Sequence, residues 1–283
     1  MDTQQQHLLR EVCAALGLED SRQIGEGGQK VILQGTLGGE PAAGKVIFLS
    51  GNPANDQTTL LRARREVELL AAVDSPNVVH VLTDAIEVGE PVAAIAWAEE
   101  WLDGEDLTKS LGDEVSDEEV WKLIRDVAIA LDACHSLDVV HRDLSPNNVR
   151  RKDDGTYVLM DPGLAKHLAK TALTGAFQPG TPGWRSPEHV LGGDPVPSSD
   201  IFCLGILAYV ALTKKLPINP TLGQDEYDRI LLEEQISPLS KKSIDVDPKL
   251  ATIVDRCLQR QPARRFLDGA ELLDELNQVG RGL

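Results

Sequence analysis

The spacing of apolar positions changes near residue 100 of this chain. Before it, apolar residues come in short strand-like runs, on either side of the glycine-rich 25–28 and over 42–48, 78–82 and 92–97, separated by glycine and polar residues. Two stretches in the same part are patterned as helices: an amphipathic one over 5–18, and 60–70, which ends near the turn signal Ser75-Pro76-Asn77. Residues 51–59 read as a polar loop leading into the second. Beyond residue 115 helical spacing dominates. Ser116 with Glu119 three positions on is a capping box, and it predicts a helix over 117–135. Asp153-Asp154-Gly155 marks a hairpin turn. Residues 201–212 are apolar apart from Gly205, too short a run to span a bilayer and suited to a buried core helix. The pattern predicts an α+β chain, strand-rich first and mostly helical afterwards, without internal repeats.

Polar residues that interrupt this pattern carry the candidate chemistry. His141-Arg142-Asp143-Leu144-Ser145-Pro146-Asn147-Asn148 is followed, after the hairpin, by Asp161-Pro162-Gly163. An acid, an amide five positions on and a second acid beyond a short hairpin are the base and oxygen ligands that phosphoryl transfer needs. Upstream, Ile24-Gly25-Glu26-Gly27-Gly28-Gln29-Lys30-Val31-Ile32 places glycines between two apolar runs, where backbone N–H groups can approach an anion. Lys45 alone interrupts the apolar run 42–48, and a buried ammonium needs a partner. Glu66 and Leu70 lie four apart on the next helix and share a face, so Glu66 can point inward; Glu68 projects elsewhere. Further on lie Gly180-Thr181-Pro182-Gly183-Trp184-Arg185-Ser186-Pro187-Glu188, Asp200 at the head of the apolar run, and the pair Arg264-Arg265.

Taken in this order, the segments resemble the eukaryotic-type (Hanks-type) serine/threonine protein kinase family, in particular its bacterial members. The resemblance runs over 22–278. It implies a bilobal protein-kinase-like fold: a helical extension over 1–21, a small β-rich N-lobe over 22–102 with one key helix, a larger helical C-lobe over 103–278, and a tail over 279–283. It implies an ATP-dependent enzyme using Mg²⁺, or Mn²⁺ in its place. Asp143 would be the base, Asn148 and Asp161 the metal ligands, Lys45 and Glu66 the phosphate-binding ion pair, and Thr181 a docking residue near Asp143. The nucleotide would meet Ile24, Gly25, Gly27, Gly28, Lys30, Ile32, Ala43, Lys45, Glu100 and Asp106. Glu188 and Arg265 would form a buried ion pair, and Asp200 would hold the backbone of the catalytic loop. Thr171 and Thr174 are candidate autophosphorylation sites in the activation loop, opposite Arg142.

The chain departs from the family pattern at Ser145, where a lysine is usual, at Lys30, where a glycine is usual, and at Pro162 in place of phenylalanine. Glu99 stands where an apolar residue usually guards the back of the adenine pocket. Lys30 either stands in for the charge missing at Ser145 or faces solvent. No departure removes the base or a metal ligand, which favours an active kinase over a non-catalytic nucleotide-binding scaffold. The segment 181–188 argues against a small-molecule phosphotransferase, because in the family it positions a peptide.

Composition narrows the partners. A net charge of −17 argues against nucleic acid and anionic membranes; protein substrates and self-association for trans-autophosphorylation are what the resemblance implies. Residues 1–20 are polar and amphipathic and read as no signal peptide. Cys13, Cys134, Cys203 and Cys257 have no C-x-x-C spacing and are expected as free thiols, three of them buried, which suits the cytoplasm.

Overall fold

A computed structural model of the chain describes residues 3–27, 30–161, 183–219, 221–234, 236–242 and 244–280. They divide into two compact units, 3–73 with 79–102, and 74–78 with the described residues from 103 onward.

The first unit is built on five antiparallel strands: β1 (Leu18–Gly27), β2 (Lys30–Leu37), β3 (Glu40–Phe48), β4 (Ile86–Val88) and β5 (Ala94–Glu100), in the order β1-β2-β3-β5-β4. Two helices belong to it, α1 (Thr3–Leu16) and α2 (Pro53–Ala72). Alternation along the strands sends Val31, Leu33, Ala42, Val46, Ala94 and Ala96 to one cluster, shared with Leu9, Val12 and Leu16 of α1. Ile95 and Trp97 go to the other, with Ala63 and Val67 of α2.

Three boundaries differ from those the sequence suggests. Gly17, at φ 71°, ends α1, and β1 starts at Leu18, so a division at residue 22 falls inside a strand. Residues 53–59, expected as loop, are the first turns of α2. The Asn52 side chain caps them by accepting from the Ala54 N–H at 3.2 Å, Pro53 occupies the first helical position, and the Thr58 and Thr59 hydroxyls donate to carbonyls one turn back. Residues 78–82, expected as a strand, make only isolated bridges, Val78 to Leu159 and Val81 to Glu99, because the chain passes from one unit to the other within them.

In the second unit, α4 (Asp117–His135) carries the expected capping box: the Ser116 hydroxyl accepts the Glu119 N–H at 3.2 Å and the Glu119 carboxylate accepts the Ser116 N–H at 3.1 Å. The other helices are α3 (Leu107–Ser110), α5 (Pro187–Val190), α6 (Pro197–Thr213), α7 (Gln224–Glu233), α8 (Pro248–Cys257) and α9 (Gly269–Gly280). A small antiparallel sheet runs β6 (Glu105–Asp106), β7 (Val149–Arg151), β8 (Tyr157–Leu159). Helix α6 is buried along almost its whole length and packs on α4 and α8. A Cβ at Gly205 would lie 2.7 Å from the Cys257 Cβ, so this glycine sets how closely α6 and α8 approach. Cys134, Cys203 and Cys257 are buried free thiols; burial, followed by the nearby Asp200 charge, pushes Cys134 up to about 12.

Candidate active site

The candidate site in the second unit begins with the hairpin β7–β8. Val149 pairs with Leu159, and the ladder extends one step further through the Met160 N–H, which donates to the Asn148 carbonyl at 2.8 Å. Asp161 therefore emerges one residue beyond the partner of Asn148. Asn148 turns its amide nitrogen to Asp143, donating to the backbone carbonyl at 2.8 Å and to the carboxylate Oδ2 at 3.3 Å. Its Oδ1 is thereby directed away from those contacts. An amide oxygen and a carboxylate brought together by one hairpin match the hard-oxygen preference of Mg²⁺, which commonly takes one or two protein ligands and completes its shell with phosphates and water. Among the described residues no cluster of three or more His, Cys, Asp or Glu could hold a metal by itself.

The loop carrying Asp143 is held from behind by Asp200 at the start of α6. This carboxylate is fully buried and accepts the His141 N–H at 2.7 Å, the Arg142 N–H at 2.9 Å and the His135 ring at 3.1 Å. Burial opposes its charge, but the hydrogen bond and proximity of His135, with the backbone bonds, outweigh that and hold its carboxyl below the usual range. Both histidines resolve by their partners. His135 Nδ1 accepts the Gly269 N–H at 3.1 Å, so Nε2 carries the proton given to Asp200. His141 Nδ1 accepts the Asp143 N–H at 3.3 Å, so its Nε2 donates to the Met160 carbonyl at 2.9 Å. The His141 imidazole thus ties the base to the hairpin residue preceding Asp161. Arg142 and Asp161 take left-handed backbone, at φ 68° and 50°, a local strain that this network sustains. Ser145 is buried, and its hydroxyl has no partner among the described residues.

In the first unit the β3–β5 register sets the environment of Lys45. Lys45 stands opposite Trp97, and Ala43 opposite Glu99. The Lys45 ammonium lies 2.5 Å from Glu99 Oε2. Sequence reasoning singled out Glu99 as a departure but did not foresee it as a partner of the lysine; the strand alternation that puts 97 and 99 on one face was the available signal. Glu66 is buried on α2 beside Ala63 and Val67, while Glu68 is exposed and pairs with Arg65 at 3.5 Å.

The expected nucleotide contacts lie in both units. Ile24, Gly25 and Gly27 fall on β1 and Lys30 and Ile32 on β2, where Gly27 pairs with Lys30 and Gly25 with Ile32; Ile24 is exposed. Glu100 commits its N–H to the His80 carbonyl at 2.8 Å and its carboxylate to the His80 N–H at 2.9 Å. Asp106, expected at the ribose, is also the N-cap of α3: one carboxylate oxygen accepts from the Thr108 N–H at 3.0 Å and from the Thr108 hydroxyl. A short polar side chain ahead of a helix satisfies that helix first. Gly28, Pro162, Thr171, Thr174 and Thr181 lie outside the described residues.

Comparison with known proteins identifies the family of the chain. Residues 18–274 match the family described as the protein kinase domain, and the chain belongs to that family. Membership in this family generally goes with the use of ATP and a divalent metal. The chain is 29% identical over 264 residues to a probable serine/threonine-protein kinase PknB of Lactococcus lactis, covering 90% of this chain and 40% of that protein. It is 28% identical over 274 residues to the serine/threonine-protein kinase pkn3 of Myxococcus xanthus, covering 91% of this chain and 49% of that protein. It thus spans less than half the length of these two relatives. The crystal structure of a mutant of the Mycobacterium tuberculosis PknI kinase domain shares the fold, with a TM-score of 0.65 at 24% identity over 93% of this chain and 96% of that one.

Proposed function

We propose that this chain is a protein serine/threonine kinase unit that transfers the γ-phosphoryl group of MgATP to serine or threonine hydroxyls of protein substrates. The observation that carries the reading is the Asp143–Asn148 contact on a loop clamped by Asp200, with Asp161 delivered beside it by the hairpin. MgATP, when bound, supplies the phosphoryl group. Asp143 orients the acceptor hydroxyl and takes its proton. Asn148 Oδ1 and Asp161 are the ligands we assign to Mg²⁺, with Mn²⁺ as a substitute. Lys45 and backbone N–H groups of the glycine-rich sequence segment 24–32 offset phosphate charge against the strongly acidic background of the protein. Among the described residues no helix is long and apolar enough to cross a membrane. The free thiols are the basis on which we place the unit in the cytoplasm, and activation-loop threonines are the proposed targets of trans-autophosphorylation between two copies.

The test uses purified protein, labelled ATP, Mg²⁺ and a generic protein substrate. Asp143→Asn should lower kcat on the order of 100-fold or more, the usual contribution of a positioned base, while leaving nucleotide affinity nearly intact. Asp161→Ala should instead weaken Mg²⁺-dependent ATP binding. Undiminished phosphorylation by Asp143→Asn would remove the basis of the assignment.

A further inference from the structure

The register of β3 against β5 makes Glu99 the diagonal neighbour of Lys45, a spacing that a long side chain can span. The two meet at 2.5 Å, with side chains only 7% and 3% exposed. The other carboxylate oxygen of Glu99 accepts the Trp97 indole N–H at 2.8 Å, and Trp97 is completely buried. Glu99 therefore cannot swing off the lysine without abandoning a buried donor, which gives the carboxylate a fixed orientation. Oriented in this way, it neutralises the positive charge that a phosphate would seek in Lys45. Replacing the carboxylate by an amide of the same shape removes the negative charge held against the ammonium.

We propose that Glu99 is a positioning residue that acts as a built-in competitor for Lys45, so that the nucleotide phosphates must win the lysine from a resident carboxylate. This rests on the kinase reading above. The indole bond makes the competitor persistent, and the cost appears in nucleotide affinity rather than in the phosphoryl-transfer step. The apolar residue that the family resemblance leads one to expect at this position would offer no such anion.

The experiment compares the full chain with Glu99→Gln, which keeps the shape and an oxygen for the indole N–H, and with Glu99→Met, which restores an apolar side chain. ATP affinity is measured at equilibrium with and without Mg²⁺, and Lys45 reactivity is read in nucleotide-free protein by an amine-directed acylating reagent and peptide mass spectrometry. Both folded variants should bind ATP roughly tenfold more tightly and label faster at Lys45. Unchanged or weaker ATP binding, or unchanged labelling, in folded Glu99→Gln overturns the proposal; if that variant does not fold, Glu99→Met decides by the same criteria. Neither readout requires turnover. A protein that binds MgATP and shows the predicted shifts but phosphorylates nothing would refute the kinase reading and leave this one standing.

Discussion

Replacing Arg265 by alanine should destabilise the second unit more than almost any other single polar substitution. Its guanidinium is buried and has every N–H donor in use. Two go to Glu188, at 2.8 and 3.1 Å, and the others to the carbonyls of Ser198 at 3.0 Å, Gln259 at 2.6 Å and Arg260 at 2.7 Å. Its plane also lies over the Phe202 ring, 4.7 Å from the centroid. Summing these bonds would overshoot, because the unfolded chain makes equivalent bonds to water. The more reliable measure is the cost of stranding a charge: with Arg265 gone, the largely buried Glu188 carboxylate loses its counter-ion, typically about 3–5 kcal/mol. For a protein of this size that lowers the midpoint of thermal unfolding by on the order of 10 °C. Arg265→Lys keeps the charge but lacks the planar fork, so it should fall between the wild type and alanine. Arg264 is exposed, and its alanine variant should stay within about 0.5 kcal/mol of the wild type. Calorimetry of the three variants decides the matter. An Arg265→Ala loss below about 1 kcal/mol, or a larger loss for Arg264→Ala, would refute the reasoning.

Gly205→Ala should destabilise by roughly 1–3 kcal/mol, because the added methyl meets Cys257 and Leu258 on a packed helix; urea titration would show a lowered midpoint, and a neutral result would mean that α6 and α8 can part at little cost. Acid should unfold the second unit through Glu188 and Asp200. Burial opposes both charges, but Arg265 and His135 respectively outweigh it and hold the carboxyls below their ordinary values of 4.5 and 3.8. Groups depressed in the native state contribute stability above those ordinary values and lose it as pH falls through the native ones, so urea midpoints should decline below about pH 4.5, and less steeply in Arg265→Ala. Midpoints that rise on acidification would contradict that sign. Lys30→Ala should lower kcat more than it raises KM for ATP, with partial rescue by Ser145→Lys, if Lys30 supplies the charge that position 145 lacks; strictly additive effects would show that it does not.

Local spacing alone determined much of this molecule. The five-residue interval from Asp143 to Asn148, a hairpin turn at Asp153-Asp154-Gly155 and the capping box at Ser116 each depend on neighbours in sequence, and each stands in the structure as the pattern requires. The Arg265–Glu188 pair came from family spacing rather than from any local rule, and burial of Arg265 over Arg264 agrees with it. The start of α2 was misjudged because the mostly polar residues 53–59 look like a loop until Asn52 is seen capping them. The cap that Asp106 makes on the N–H of Thr108 was not foreseen because it depends on a helix of a single turn, too short to show a period. The hold of Glu99 on Lys45 lay furthest from view. It requires β3 and β5 to pair in one register across a long stretch of intervening chain, and a shift by one position would turn every side chain of the strand to the opposite face. Such a register is chosen by the burial of two whole sheet faces against α1 and α2, a choice made by the assembled unit and written in no single segment of it.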